Sequence, residues 1–123
     1  MSRYEYLPLY RASYALCLYA HEVQSKLPKG LRYTVGLKLL DACVESLRLI
    51  VVANRAAQKS GALDLLILEI EGLWVFSRLL YDFRGISSGE FKVLSPSRLA
   101  RFTIEFETMR VKIESTPVTS WGL

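Results

Sequence analysis

The chain has 123 residues, of which 51% are hydrophobic, and its 16 basic and 12 acidic side chains give a net charge of +4. A chain this apolar buries enough surface to fold, which excludes intrinsic disorder, and two cysteines are too few for a disulfide scaffold. Its mean hydropathy of +0.21 is high for one small domain, so we expect part of the apolar surface to face another protein chain.

Prolines and glycines divide the sequence into helical stretches. Pro8 favours a helix start, and Pro28 and Gly30 favour its end. Between them, alternating steps of four and three residues form one stripe: Leu9, Ser13, Leu16, Ala20, Val23 and Leu27. A second helix is predicted from Leu31 to Ser60, with apolar residues on more than one face, as expected for a helix with several neighbours.

The second half of the chain predicts two more helices. Ser60 and Gly61 indicate a break, after which a third helix carries a stripe of Leu63, Ile67, Ile70, Trp74, Ser77 and Tyr81. The segment 84–89 is the next connection. A fourth helix then begins near Glu90, or only after Ser95 as its cap, and ends before Pro117. Its stripe is Leu99, Phe102, Phe106, Met109 and Ile113.

Four helices with short connections predict an all-α fold, an antiparallel up-down-up-down four-helix bundle over residues 8–115. Residues 1–7 are then an N-terminal segment and residues 116–123 a C-terminal tail. The apolar stretches are short or interrupted by charged residues, so we expect no membrane span, no signal peptide and a cytoplasmic location.

Motifs for catalysis and metal binding are largely missing from the sequence. It contains no glycine-rich phosphate loop, and His21 is the only histidine, so a zinc or di-iron site would have at most one imidazole. Cys17 lies four residues before His21 on one helix face, where the two could form an activated nucleophile or join Cys43 as metal ligands. A small buried cysteine is the more common arrangement, so we expect no enzyme activity and no cofactor.

Basic side chains are the better lead to function. The first 60 residues carry nine basic and four acidic side chains, whereas the rest of the chain carries seven and eight. A clustered cationic face attracts phosphates, although charges of this kind are also common on ordinary solvated surfaces. The candidate nucleic-acid-binding residues are Lys29, Arg32, Lys38, Arg48, Arg55, Lys59, Arg78, Arg84, Arg98 and Arg101.

The segment 27–39, with the sequence LPKGLRYTVGLKL, is the most motif-like part of the chain. It resembles the turn between the first two helices of the accessory variability determinant (Avd) proteins of diversity-generating retroelements. The matching residues are Pro28, Lys29, Arg32, Tyr33, Thr34, Gly36 and Lys38. The S23-like bundle proteins encoded in intervening sequences of ribosomal RNA genes are similar in architecture, but their Asn-Ile-Ala-Glu-Gly motif is missing after Asn54.

The resemblance implies a non-enzymatic four-helix bundle that assembles into a homopentameric ring with a basic outer surface. Avd proteins bind the retroelement's reverse transcriptase and its template RNA or RNA/DNA hybrid, and they support mutagenic cDNA synthesis. Carried over by position, Arg32 and Lys38 match basic positions of the turn, and Arg78 matches one on the third helix. The alternatives are an intervening-sequence-type protein that binds nucleic acid generally, or a protein-interaction module without RNA contact.

Overall fold

The computed structural model describes residues 8–55 and 60–95. These residues form five helices and no strand, which confirms the all-α prediction for this part of the chain. The helices are α1 Pro8–Lys26, α2 Lys29–Arg32, α3 Val35–Arg55, α4 Ser60–Asp82 and α5 Ser88–Leu94. They pack as a helical bundle in which α3 contacts both α1 and α4, and α5 contacts α4 and α1. Within the two described ranges, none of the helices combines the length and the apolar character needed to cross a membrane.

Helix α1 has the single buried stripe that its sequence predicts. It begins at Pro8, where a proline loses no intrahelical hydrogen bond, and it ends just before Pro28. All six residues of the predicted stripe, from Leu9 to Leu27, are buried in the core. The side chains between them are mostly exposed, so the amphipathic pattern places α1 against α3 along one face.

The predicted second helix is wrong at its start, because the chain forms two helices there. Helix α2 is a single turn that ends at Arg32, and α3 begins only at Val35. The hydroxyl of Thr34 donates a 2.8 Å hydrogen bond to the carbonyl of Gly30, the acceptor that a continuing helix would offer to the Thr34 amide. The Thr34 amide itself pairs with the Leu31 carbonyl at 3.4 Å, so the regular helical hydrogen-bond pattern is interrupted at Tyr33 and Thr34. Residues 56–59, which include the rest of the predicted helix, lie outside the described residues.

Helix α4 corrects two further predictions. Ser60 and Gly61 form its first turn rather than a break. The predicted stripe is half wrong, because Ile67, Trp74 and Tyr81 are 36%, 51% and 37% exposed. The buried stripe instead consists of Leu63, Leu66, Ile70, Leu73, Ser77 and Leu80. Both stripes have helical spacing, so periodicity alone does not choose between them on a helix that is apolar on most sides.

The last described helix begins at the earlier of its two predicted starts. Ser87 caps α5: its hydroxyl accepts a hydrogen bond from the Glu90 amide at 3.1 Å, and the Glu90 carboxylate accepts one from the Ser87 amide at 2.9 Å. Ser95 ends α5, where its amide donates to the Phe91 carbonyl, and the alternative start after Ser95 falls outside the described residues. Residues 96–123, with the predicted stripe from Leu99 to Ile113, lie outside the described residues.

Two glycines allow a close approach around Leu27, which is 2% exposed. A Cβ atom on Gly36 would lie 2.5 Å from Leu27 Cδ1 and 2.9 Å from the Leu31 carbonyl oxygen. One on Gly85 would lie 2.7 Å from Leu31 Cδ1 and 3.3 Å from Leu27 Cδ2. The Gly36 contact includes a backbone oxygen, so only glycine fits there with the observed packing, whereas at Gly85 the end of the Leu31 side chain would have to shift.

We therefore expect Gly36→Ala to lower the free energy of unfolding by about 1–3 kcal/mol, because the added methyl group overpacks the junction of α1, α2 and α3. Gly30→Ala is the matched control, since a Cβ there has nothing within 4 Å. Urea unfolding followed by circular dichroism measures both variants. Equal stability of the two would contradict the close approach at Gly36.

Candidate nucleic-acid interface

The turn that carries the family-like motif is held by hydrogen bonds from its own side chains. The Gln24 side-chain amide donates to the Arg32 carbonyl at 2.9 Å. The Arg32 guanidinium donates to the Leu27 carbonyl through Nε at 3.2 Å and through a terminal nitrogen at 3.0 Å. Arg32 is half-buried and satisfies a carbonyl at the end of α1. This predicted binding residue therefore has a structural task within the fold.

A second turn ends α4 beside this junction. The Gly85 amide donates to the Leu80 carbonyl at 2.8 Å and the Arg84 amide to the Tyr81 carbonyl at 3.0 Å, which is the Schellman pattern of a helix end. Arg84 occupies the left-handed position with φ 63°, where glycine is the usual residue. Since the side chain of Leu31 reaches Gly85, the Arg84 turn lies at the same end of the bundle as α2.

Three exposed cations project from that end. We call Lys29, Lys38 and Arg84 the basic end; they come from α2, from the start of α3 and from the turn after α4. None of the three has an ion-pair partner among residues 8–55 and 60–95. Their positive charges are therefore available to an external anion such as a phosphate.

Two exposed aromatic rings accompany the basic end. Tyr33 belongs to the Avd-like motif, but neither ring was among the candidate binding residues. Tyr33 is 61% exposed beside the Arg32 guanidinium, which lies 5.9 Å from its ring centroid. Phe83 is 54% exposed and directly precedes Arg84. Exposed rings next to cations provide stacking platforms for the bases of single-stranded nucleic acid. The sequence signal that could have found them is an aromatic residue adjacent to a basic one in each of the two turns.

Two other predicted binding residues have neighbouring acidic partners. Arg48 donates to the Glu45 carboxylate one turn earlier, with Nε at 3.0 Å from Oε2, and this hydrogen bond lowers the pKa of Glu45. Arg78 Nε lies 3.2 Å from the Asp82 carboxylate, and its guanidinium lies 5.9 Å from the Tyr81 ring centroid. Both pairs are exposed, so their charges are partly compensated and remain accessible to solvent.

Among the described residues, Arg55 is not brought to the basic end. Arg55 is the last residue of α3, about 30 Å along the helix from Val35 at a rise of about 1.5 Å per residue. Lys59, Arg98 and Arg101 lie outside the described residues. The structure thus gathers Lys29, Lys38 and Arg84 and separates them from Arg55.

An acidic cleft borders the basic end between α3 and α4. It has a volume of about 570 Å³ and is lined by Lys38, Leu40, Asp41, Ala42, Val44, Glu45, Glu69 and Phe76. Partial burial and the negative charge of Glu45 raise the pKa of Glu69. Because carboxylates repel phosphate, this cleft limits the surface on which a nucleic acid could lie.

The cysteine and histidine residues do not form an activated site. Burial raises the pKa of the Cys17 thiol to about 11, and burial likewise raises the pKa of Cys43. An activated nucleophile needs the opposite shift, because the thiolate is the reactive form. His21 is exposed on α1, and in the described part of the chain no three His, Cys, Asp or Glu side chains come close enough to hold a metal ion.

In comparisons with known proteins, no protein-family model matches the chain, and no curated protein or solved structure is detectably similar to it.

Replacement of Arg32 should affect stability, whereas replacement of Lys29 should not. Arg32→Gln removes both guanidinium hydrogen bonds to the Leu27 carbonyl, and we expect a loss of about 1–2 kcal/mol in the free energy of unfolding. Lys29→Gln, three residues earlier and exposed, should change the free energy of unfolding by no more than about 0.5 kcal/mol. Urea denaturation measures both, and a larger loss for Lys29→Gln would refute the structural role of Arg32.

Alkylation of Cys17 should be slow at neutral pH and accelerate in alkaline solution. With a pKa of about 11 instead of 9.0, its thiolate fraction at pH 8 is about 100-fold lower than that of an unperturbed thiol. Iodoacetamide labelling followed by peptide mass spectrometry measures the rate from pH 7 to pH 10. Fast labelling of Cys17 at pH 7 would restore the nucleophile hypothesis.

Proposed function

We propose that this protein is a non-enzymatic accessory protein of a diversity-generating retroelement, which binds the reverse transcriptase and its template RNA. The observation that carries the proposal is the basic end. Lys29 and Lys38 belong to the segment that resembles the Avd turn, and within the described ranges they have no ion-pair partner and lie near Arg84 and two exposed rings. A protein surface that binds single-stranded RNA requires cations that neutralise phosphates and aromatic rings that stack on bases.

The conformation of Arg84 supports a role for its side chain. A residue with a Cβ in the left-handed region costs roughly 1–2 kcal/mol relative to one in a right-handed conformation, and glycine largely avoids that cost. Strain of this kind is concentrated at functional sites, where the side chain has a use. In our proposal that use is contact with a phosphate.

Assembly strengthens the electrostatic side of the proposal. A homopentameric ring of chains with a net charge of +4 would carry about +20, enough to steer an RNA toward its surface. The exposed apolar residues of the described helices supply contact area for such an assembly, among them Leu65, Leu68 and Trp74.

The bundle proposed for each subunit is antiparallel, up-down-up-down, with four main helices. Two neighbourhoods support this topology. Gly85, after α4, lies beside Leu27 at the end of α1, and Glu69 of α4 is close enough to Glu45 of α3 to raise its own pKa. Phe76, later in α4, lines the same cleft as Lys38, earlier in α3, so the two helices run in opposite directions in this proposal.

A protein-interaction module without RNA contact is the second candidate. The acidic cleft favours it, because carboxylates and apolar side chains together suit a protein partner better than a phosphate backbone. In that case neutralisation of the basic end would leave function unchanged.

Arg84→Gly separates the two candidates, because it should stabilise the fold and weaken RNA binding at the same time. We expect a gain of about 1 kcal/mol in the free energy of unfolding from relief of the left-handed strain. A plot of log affinity against log salt concentration has a negative slope, and loss of one phosphate contact should reduce its magnitude by about 0.7 for single-stranded RNA. Fluorescence anisotropy with a labelled single-stranded RNA, measured over a series of salt concentrations, gives both affinity and slope.

Arg48→Gln is the matched control for that experiment, because Arg48 is already paired with Glu45. It should change the salt slope less than Arg84→Gly does. If a variant that combines Arg84→Gly, Lys29→Gln and Lys38→Gln binds RNA as tightly as the unmodified protein, the RNA-binding proposal is overturned. Co-purification with a reverse transcriptase encoded next to the gene, beside paired template and variable repeats, tests the retroelement assignment.

A further inference from the structure

The acidic cleft between α3 and α4 contains apolar surface as well as carboxylates. Four of its lining residues are apolar: Leu40, Ala42, Val44 and Phe76. Val44 is 53% exposed, and Leu40 and Phe76 are half-buried, so water reaches part of this apolar lining. The volume of about 570 Å³ lies within the roughly 300–1,000 Å³ that is typical of ligand-binding pockets. Concave apolar surface of this kind is characteristic of a place where a partner binds.

Gly72 keeps the α4 wall of the acidic cleft open. It lies three residues after Glu69 and four before Phe76, so the helical repeat places it on the same face as these two lining residues. A Cβ at Gly72 would meet only Phe76 Cε2, at an ordinary 3.5 Å, so packing within the described bundle does not require glycine. Glycine is also less stable than alanine inside a helix. Space for an occupant of the cleft supplies a reason for the missing side chain.

The charge of the acidic cleft changes along its length. Lys38 lines it beside the basic end, and Asp41 and Glu45 follow along α3 at intervals of about one helical turn. Across the cleft, Glu69 of α4 has a raised pKa because of its partial burial and the negative charge of Glu45. Carboxylates from both helices therefore face the part of the cleft that lies away from Lys38.

Two of these three carboxylates are uncompensated. Arg48 pairs with Glu45, whereas neither Asp41 nor Glu69 has an ion-pair partner among residues 8–55 and 60–95. A nearby cation favours the ionised form of a carboxylate, so a positively charged occupant would bring the pKa of Glu69 back toward its ordinary value. An acidic occupant would instead be repelled. The cleft thus combines an apolar floor with a preference for positive charge.

We propose that the acidic cleft binds a short helix of a partner protein in which arginine or lysine residues border an apolar face. An amphipathic helix that lays its apolar face into a groove is a common mode of peptide recognition. In this complex the apolar side chains contact Leu40, Val44 and Phe76, while the cations contact Asp41 and Glu69. The inference goes beyond the proposed function, because it adds a second binding surface of opposite charge and needs no RNA contact.

A pair of designed peptides tests the charge requirement. Both are fluorescently labelled amphipathic helices of about 15 residues with a leucine face. They differ only in the residues that border this face, which are arginines in one peptide and glutamates in the other. The whole chain has a net charge of +4 and repels a basic peptide at long range, so binding of the arginine peptide reports a local site.

Fluorescence anisotropy with the full chain should show at least about tenfold tighter binding of the arginine peptide than of the glutamate peptide. The apolar contacts are the same for both peptides, so the difference measures the carboxylates of the cleft. Equal affinities, tighter binding of the glutamate peptide, or no binding of either would overturn the proposal.

Glu69→Gln tests whether the arginine peptide binds in the acidic cleft, because it removes the charge and keeps the shape of the side chain. We expect affinity for the arginine peptide to fall about fivefold, and to fall further when Asp41→Asn is added. Glu71→Gln is the matched control, since Glu71 is exposed on the same helix, about 200° around its axis from Glu69. Equal losses from Glu69→Gln and Glu71→Gln would overturn the placement in the cleft.

Gly72→Leu closes the acidic cleft without a change of charge. Its side chain enters open space in the described bundle, so we expect the circular dichroism spectrum of the folded protein to persist. Affinity for the arginine peptide should fall at least about tenfold, because the added side chain takes the place of buried apolar contacts. Gly89→Leu makes the same substitution on exposed α5 and should leave the affinity unchanged. Equal affinities of these two variants would overturn the proposal.

Binding of labelled single-stranded RNA to the same variants keeps this inference distinct from the proposed function. Glu69→Gln should not weaken RNA binding, because a carboxylate repels phosphate. If it does weaken it, RNA occupies the cleft and the inference fails. Loss of self-association in Gly72→Leu, measured by light scattering, would place a second copy there and also overturn it. Peptide binding as expected in a chain that binds no RNA would refute the RNA-binding proposal and support this inference.

Discussion

The packing around Leu27 is the constraint on which the rest of the structure depends. Its side chain fills the space left by Gly36 and reaches Gly85, while its carbonyl accepts both hydrogen bonds of the Arg32 guanidinium. One residue therefore joins the end of α1, the start of α3 and the turn after α4. Without that junction, Lys29, Lys38 and Arg84 would have no common end to occupy, because they come from three separate elements of the chain.

The basic residues of this protein divide by task, and residue type does not reveal the division. Arg32 holds the fold, Arg48 and Arg78 have acidic partners one turn away, and Lys29 and Arg84 project unpaired within the described part of the chain. Net charge treats all of them alike. A phosphate is attracted mainly by the basic residues that are exposed and have no acidic partner. Compensated surface pairs contribute little to the electric field outside the protein.

The sequence predicted the buried face of a helix correctly where the helix has only one apolar stripe. Helix α1 has a single apolar stripe, so its buried face followed directly from spacing. Helix α4 has two, and the choice between Leu73 and Trp74 for the core depends on its neighbours rather than on its own sequence. The break at Tyr33 and Thr34 has no counterpart in the apolar periodicity, so that signal did not predict it. At the candidate site, the pairing of Arg48 with Glu45 was readable from a spacing of three residues, whereas the exposure of Tyr33 and Phe83 required the folded turns.

The hydrogen-bonded turns at Arg32 and Gly85 have a thermodynamic consequence for any ligand that meets them. Segments that fold only on binding lose roughly 1–2 kcal/mol of backbone conformational entropy for every residue that becomes ordered. Here the backbone beneath Lys29, Tyr33 and Arg84 is held by intramolecular hydrogen bonds before a ligand arrives. Binding at this end restricts mainly the rotamers of a few long side chains. Little conformational entropy is therefore lost on binding, and even a small number of contacts contributes to affinity.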